Sequence, residues 1–210
     1  MRHAYPLMLD VTDRLCVIIG GGGVAVRKAK GLLAAGATRV RVVAASVRED
    51  MPEAVERIIG VYEPRHLDGA GLVFAATDVS EVNDAVVSDA RRLGLLVNRA
   101  DVDEDMPGNF VTPAQLNRGP VTLTVSTTGA PALAAMIRDA LAQNFDPQWR
   151  EMALAMQTLR PRIRDHANLP PDRRRAAFRD LATPEAIAFL AAGGTDALWR
   201  WLKSRYPELE

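Results

Sequence analysis

The chain has little of several things, and each scarcity closes a door. One cysteine in 210 residues, Cys16, excludes an internal disulfide, so nothing calls for an oxidising compartment and a cytoplasmic setting is the expectation. Lysine is rare, three against 23 arginines, and 26 basic side chains face 26 acidic ones. With no net charge, neither nucleic acid nor an acidic membrane surface is indicated as a partner. Long apolar runs are missing too. The longest charge-free stretch, Gly119 to Ile137, is broken by Pro120, Gly129 and Pro131 and falls short of the ~20 apolar residues of a membrane span. Met1 to Asp10 lack the basic start and apolar run of a secretory signal. The three histidines, His3, His66 and His166, are far apart and form no recognisable metal site with Cys16, so no resident metal is expected. What is present is 48% hydrophobic, ample for the core of one or two soluble domains.

From residue 14 to residue 98, short β-branched runs alternate with helical stretches, the pattern of a parallel sheet wrapped by helices. Strands are expected at Leu15–Ile19, Val40–Ala44, Ile59–Tyr62, Leu72–Ala76 and Leu95–Asn98, as continuous apolar runs covered on both faces. Helices are expected at Ala25–Ala35, Arg48–Arg57 and Val79–Leu93, with Gly36 capping the first. After Asn98 the texture changes: residues 99–109 are acidic and turn-rich, and Phe110–Thr112 and Val121–Ser126 read as two strands. Pro131 then opens a helix whose Leu133, Met136, Ile137 and Leu141 form one apolar stripe that needs a partner surface. From about Gln148 the composition is helical, with breaks at Pro170-Pro171 and Gly193-Gly194. Met136 and Met156 read as core, and His166 as a polar tail residue.

The chemistry-bearing motif is Gly20-Gly21-Gly22-Gly23-Val24-Ala25, which leaves the first strand and enters the first helix. Gly20 permits a tight turn, Gly22 lets backbone approach a pyrophosphate, and Ala25 lets the helix lie close to the sheet. The helix N-terminus suits a dianionic phosphate group, so a dinucleotide is the expected ligand. The acidic residue that usually holds an adenosine 2′-hydroxyl about 20 positions later is missing. Ser46 offers a hydroxyl to the ribose or caps the next helix; Arg48 would attract a 2′-phosphate. NAD and NADP therefore stay open on chemistry alone. Thr77, Asp78 and Asn98 fall at the carboxyl ends of strands, the edge along which such folds bind ligands, although each also suits a loop or cap.

Together these residues resemble a known family, the precorrin-2 dehydrogenases of siroheme synthesis, some of which are also sirohydrochlorin ferrochelatases. The match is carried by Tyr5-Pro6-Leu7, by Val17 to Ala25 with Arg27-Lys28, and by Leu32 to Ala37. It continues through Ala75 to Asp78 with Asn83, Asn98, Asp101, Asn109 to Ala114, Val125 to Thr127, and Pro131 to Ala134. The resemblance implies an α/β fold: a Rossmann-like parallel-sheet domain over 1–112, a small α+β dimerisation region over 113–147 and a helical C-terminal region over 148–210. It implies a homodimer that oxidises precorrin-2 to sirohydrochlorin with NAD, the essential carboxylate falling on Asp101 and nucleotide contacts on Gly23, Val24, Ala45 and Ser46 beside the phosphate glycines. Two other readings stand beside it, a bifunctional dehydrogenase and ferrochelatase, and a non-catalytic dinucleotide sensor. The family's Ser-Thr-Gly-Gly-x-Ser-Pro stretch is here Ser126-Thr127-Thr128-Gly129-Ala130-Pro131, one residue shorter and without a glycine and a serine.

Oxidising a tetrapyrrole removes a hydride and a proton, and a positioned base is typically worth ~10²–10⁴-fold. Asp101, three residues past Asn98, is the expected base, with Asp103, Glu104 and Asp105 close by. In a chelatase the same carboxylate would accept a pyrrole proton or pass on a ferrous ion. Because the substrate carries carboxylates, the arginines of the tail, Arg160, Arg162, Arg164, Arg173, Arg174, Arg175 and Arg179, are either its partners or a solvated helix face.

Overall fold

The computed structural model describes residues 5–101 and 106–210. His3 and the acids Asp103, Glu104 and Asp105 lie outside the described residues. The chain forms two compact units, meeting in sequence at Thr112 and Pro113.

The first unit is built on a five-stranded sheet in which every pairing is parallel, order β3-β2-β1-β4-β5. The strands are β1 (Leu15–Ile19), β2 (Arg39–Ala44), β3 (Glu56–Ile59), β4 (Ala70–Ala75) and β5 (Leu96–Arg99). Every residue of β1 is buried because both of its faces are covered. Cys16 and Ile18 point into a core with Ala25, Val26, Ala29 and Leu32 of helix α1 (Gly23–Ala34). Leu15, Val17 and Ile19 point the other way, onto Val86, Val87 and Ala90 of α2 (Ser80–Arg92). Truncating Ile18, fully buried, would cost about 2–5 kcal/mol. The α1 helix ends as expected, with Gly36 just past it at φ 88°. Burial pushes the Cys16 thiol up, and no disulfide involves it.

Three expectations fail in this unit. The third strand, expected at Ile59–Tyr62, is formed by Glu56–Ile59, where the register with β2 runs from Arg41–Glu56 to Ala44–Ile59. Residues 48–57 do not form a helix: they run irregularly into β3, which starts at Glu56. Pro52 breaks the segment, and pairing with β2, reinforced by Arg41 Nε on Glu56 Oε2 at 2.9 Å, sets the strand instead. Ser46 therefore caps no helix. Phe110–Thr112 is not a strand either. The Asn109 side chain takes the place of a ladder partner beside β5: its Oδ1 accepts from Val97 N–H at 2.7 Å and its Nδ2 donates to Leu95 O at 2.9 Å.

In the second unit, β6 (Ala114–Arg118) and β7 (Val121–Val125) form an antiparallel hairpin beside α3 (Pro131–Gln143). Three further helices, α4 (Pro147–Arg164), α5 (Pro171–Asp180) and α6 (Pro184–Arg205), enclose a core of Leu159, Ile163, Leu181, Leu198 and Leu202. The α6 helix is interrupted at Gly193 and Gly194, the latter at φ 66°. Met156 packs on this core, whereas Met136, expected inside, is 61% exposed with Leu133 and Leu141 also open. Only Ala134 of α3 is buried. Among the described residues no helix is long and apolar enough to cross a membrane.

Candidate functional site

The turn between β1 and α1 is shaped by its missing side chains. Gly20 sits at φ 126°, and a Cβ there would overlap the Ala76 carbonyl at the end of β4. A Cβ on Gly21 would overlap the Ser46 carbonyl just past β2, a close approach that motif reasoning assigned to no residue. Gly22 and Gly23 are the reverse: nothing lies within 4 Å of where their Cβ atoms would stand. The turn is thus pressed onto the sheet on one side and open on the other. Gly22 is the N-cap of α1, with no side-chain cap and no acid in the first turn, so the first N–H groups of the helix are left for an anion. Ala25 is fully buried against the sheet, as expected. Ala45 and Ser46 are exposed beside Gly21.

Along the same edge Thr77 follows β4, next to Gly20. Its hydroxyl is committed locally, donating to Asn83 Oδ1 at 2.9 Å, and its backbone N–H reaches the same oxygen at 3.1 Å. Asp78 is exposed. Asn98 is buried on β5, where its Nδ2 donates to Phe110 O at 3.1 Å while its Oδ1 has no hydrogen-bond partner among the described residues. A buried acceptor left unmatched costs about 1–3 kcal/mol, which a ligand donor or water would remove.

Asp101 is not one of several loose acids. Arg99, whose side chain is only 2% exposed, grips it with two donors, Nε to Oδ1 at 2.8 Å and Nη2 to Oδ2 at 3.1 Å. The same guanidinium pairs with Asp84 and donates to Ser80 Oγ at 2.8 Å, both on α2. Burial pushes the Asp101 carboxyl up, but hydrogen bonds from Arg99, Asn83 and its own backbone N–H outweigh it and hold the carboxyl below its ordinary value. Asn83, fully buried, therefore ties Asp101 to Thr77 and through it to the glycine turn.

Sequence reasoning missed Arg99, and it gave no role to Asn83 or Lys28, which entered only as matches to the family pattern. The available signals were an arginine two residues before the key acid, and an asparagine on the sheet-facing side of α2. Lys28 Nζ donates to Thr112 Oγ1 at 2.5 Å and lies 5.4 Å from the centre of the Phe74 ring; burial, then the Arg27 charge, lowers it to about 8.

The tail arginines are mostly occupied. Arg162 lies over Trp199 at 4.1 Å, Arg160 over Phe178 and Arg173 over Tyr206, with Arg173 also on Glu208; Arg164 pairs with Asp165, and Arg174 donates to His166 O. His66 is structural too, its Nδ1 accepting from Glu63 N–H. Among the described residues no group of three or more potential metal ligands gathers. At the loop before α3, Ala130 is the N-cap and supplies no side-chain acceptor.

Strand order 3-2-1-4-5, the open glycine turn and the uncapped α1 define a Rossmann-type dinucleotide-binding protein. The profile of a family described as "Putative NAD(P)-binding" matches residues 7–114, and the chain belongs to that family. Curated relatives include the siroheme synthase of Chromobacterium violaceum, 34% identical over 202 residues, and that of Methylococcus capsulatus, 37% identical over 198. These matches cover 93% and 91% of this chain but 42% and 41% of those proteins, so the chain spans about two fifths of their length. A solved structure described as "SirC, precorrin-2 dehydrogenase" superposes with a TM-score of 0.79 at 26% identity, over 96% of this chain and 100% of that one. The Rossmann-like domain with a helical C-terminal region, expected from the sequence, is the observed fold.

Proposed function

We propose that this chain oxidises precorrin-2 to sirohydrochlorin, taking NAD as the hydride acceptor. The observation that carries the reading is a carboxylate held ionised at the sheet edge that also carries the open glycine turn. Gly20, Gly22, Gly23, Val24 and Ala25 would hold the pyrophosphate, Ala45 and Ser46 the adenosine ribose, and Thr77, Asp78 and Asn98 the remainder along the edge. The gap over Gly22 and Gly23 and the unmatched Asn98 Oδ1 fit such a ligand. When bound, the nicotinamide ring supplies the two-electron acceptor.

The residues of the chain handle the rest. Loss of a hydride from a ring carbon leaves positive charge on the tetrapyrrole, and a proton must follow to give product, reduced dinucleotide and H⁺. Asp101, fixed by Arg99, faces that charge as an anion and receives the proton. With its carboxyl held low it is a weak base, so its contribution is weighted toward stabilising the cation. Arg99 is a positioning residue.

A homodimer is part of the proposal. Leu133, Met136 and Leu141 leave an apolar stripe exposed on α3, beside a hairpin of only two strands. Light scattering should return twice 22.8 kDa. The buried reduced Cys16 suits a cytoplasmic setting.

The test is anaerobic incubation of purified protein with precorrin-2 and NAD, followed by sirohydrochlorin absorbance. Product formation is expected; nucleotide binding without product would leave a dinucleotide sensor. A second activity, insertion of ferrous ion, finds support in the ionised oxygen donor at Asp101 and is checked by adding the metal to sirohydrochlorin. A rate equal to the uncatalysed one removes it.

A further inference from the structure

Two cations beside the glycine turn converge on a single carboxylate. Arg48 Nε donates to Asp50 Oδ1 at 2.8 Å, and Lys30 Nζ, reaching from α1, lies 3.9 Å from Asp50 Oδ2. Arg48 is placed there by its backbone, whose N–H donates to Gly21 O at 3.1 Å. Two residues earlier, the Ser46 carbonyl fills the space that a Gly21 side chain would need. The Arg48 hydrogen bond, outweighing slight desolvation, holds the Asp50 carboxyl below its ordinary value, so it is charged at neutral pH.

This loop follows β2, the strand end at which folds of this class read the adenosine ribose. An acid there accepts from a 2′-hydroxyl, and an arginine there pairs with a 2′-phosphate. The four residues Ala44 to Val47 contain no acid. The arginine is present, with a lysine beside it, yet both are turned onto Asp50. Their triad carries one net positive charge, where the two cations alone would carry two.

We propose that Asp50 sets the choice of dinucleotide, by drawing Arg48 and Lys30 away from a 2′-phosphate and by placing a negative charge where that phosphate would sit, so that NAD is taken over NADP. The inference rests on the nucleotide site of the proposed function but not on the identity of the substrate oxidised. All three side chains are about half exposed, so the leash is exchangeable and its effect graded rather than absolute.

The experiment is calorimetric titration of the full chain with NAD and with NADP. Wild-type protein is expected to bind NAD more tightly. Asp50→Asn should shift the ratio of the two dissociation constants toward NADP by about five-fold, the scale on which exposed charge pairs act. Asp50→Ser should shift it the same way. Adding Arg48→Ala and Lys30→Ala to Asp50→Asn should cancel the gain. A ratio unmoved in both Asp50 variants overturns the inference, as does a wild-type preference for NADP. Failure of the wild type to bind either nucleotide overturns the nucleotide site itself and the inference with it.

Discussion

Two arginine–aspartate pairs flank the dinucleotide edge, and they are chemically the same pair. Arg48–Asp50 follows β2 and Arg99–Asp101 starts from the last residue of β5; each is spaced i, i+2, and each has Nε at 2.8 Å from Oδ1. They differ in solvent. The first pair is 58% and 48% exposed, the second 2% and 30%. Water screens the outer pair and competes for its donors, so its geometry is one of many. Arg99 is surrounded: Asp84, Ser80 and the Met106 carbonyl share its guanidinium with Asp101. Distance does not separate a tunable contact from a fixed one here; desolvation does.

The largest effect should come from the inner acid. Asp101→Ala is expected to lower turnover by ~10²–10³-fold, the scale of a lost electrostatic stabiliser, with NAD affinity near wild type, read from initial rates of sirohydrochlorin formation. Unchanged turnover would place the essential group elsewhere and leave the inner pair a structural one. The next effect falls on stability. Replacing Arg99 by Met leaves Asp84 and Asp101 facing each other without their shared cation, which should cost ~3 kcal/mol in urea unfolding. That lies at the low end for a broken buried pair because both carboxylates keep some water. In any Arg99→Lys enzyme that folds, the weaker single-point donor should let the Asp101 carboxyl rise, moving the acid limb of the kcat/KM profile to higher pH.

The two pairs also differ in how far the sequence exposed them. The glycine turn is legible because its chemistry is backbone: Gly20, Gly22 and Ala25 must be small for reasons that hold in every such turn. Strands β1, β2, β4 and β5 are legible as apolar runs because both sheet faces are covered. What stays hidden depends on side chains meeting across the sequence. Arg99 stands at the end of an apolar strand, but its meaning comes from Asp84 and Ser80, fifteen and nineteen residues earlier. The 48–57 segment is rich in helix-compatible residues, yet Pro52 interrupts it and its last two residues, Glu56 and Arg57, are taken into the ladder with β2. The α3 stripe is correctly periodic, but periodicity alone cannot say that the covering surface is not within the described residues of this chain. The tail arginines invite a substrate reading that their aromatic and carboxylate neighbours answer.

Lysine repeats the comparison on α1. Lys28 and Lys30 are two residues apart and face different media, one against Phe74 and Thr112 and the other toward Asp50. Desolvation lowers Lys28 to about 8 from 10.5. Between those values the unfolded chain binds the proton that the folded chain has lost, so unfolding free energy should rise with pH across that window and be flat below it. Urea melts of wild type and Lys28→Met from pH 7 to pH 10 isolate the contribution. The difference between the two proteins should change steadily above pH 8, and a parallel pair of curves would show that Lys28 titrates normally.

The smallest expected effect is the sharpest test of the contrast. Arg48→Ala removes a charge pair with the same bond length as the inner one, from a side chain that keeps most of its contact with water in the folded state. Both the guanidinium and Asp50 are solvated before and after, so neither is left stranded, and the backbone bond from Arg48 N–H to Gly21 O survives the substitution. The urea midpoint and slope should therefore match wild type within error, at low salt and at 0.5 M salt alike, while Arg99→Met is plainly destabilised in both. A midpoint for Arg48→Ala that falls at low salt and recovers at high salt would mean that the outer pair carries structural weight. The β2 loop would then be held by charge as firmly as the β5 end, and the division between an exchangeable and a fixed pair would not stand.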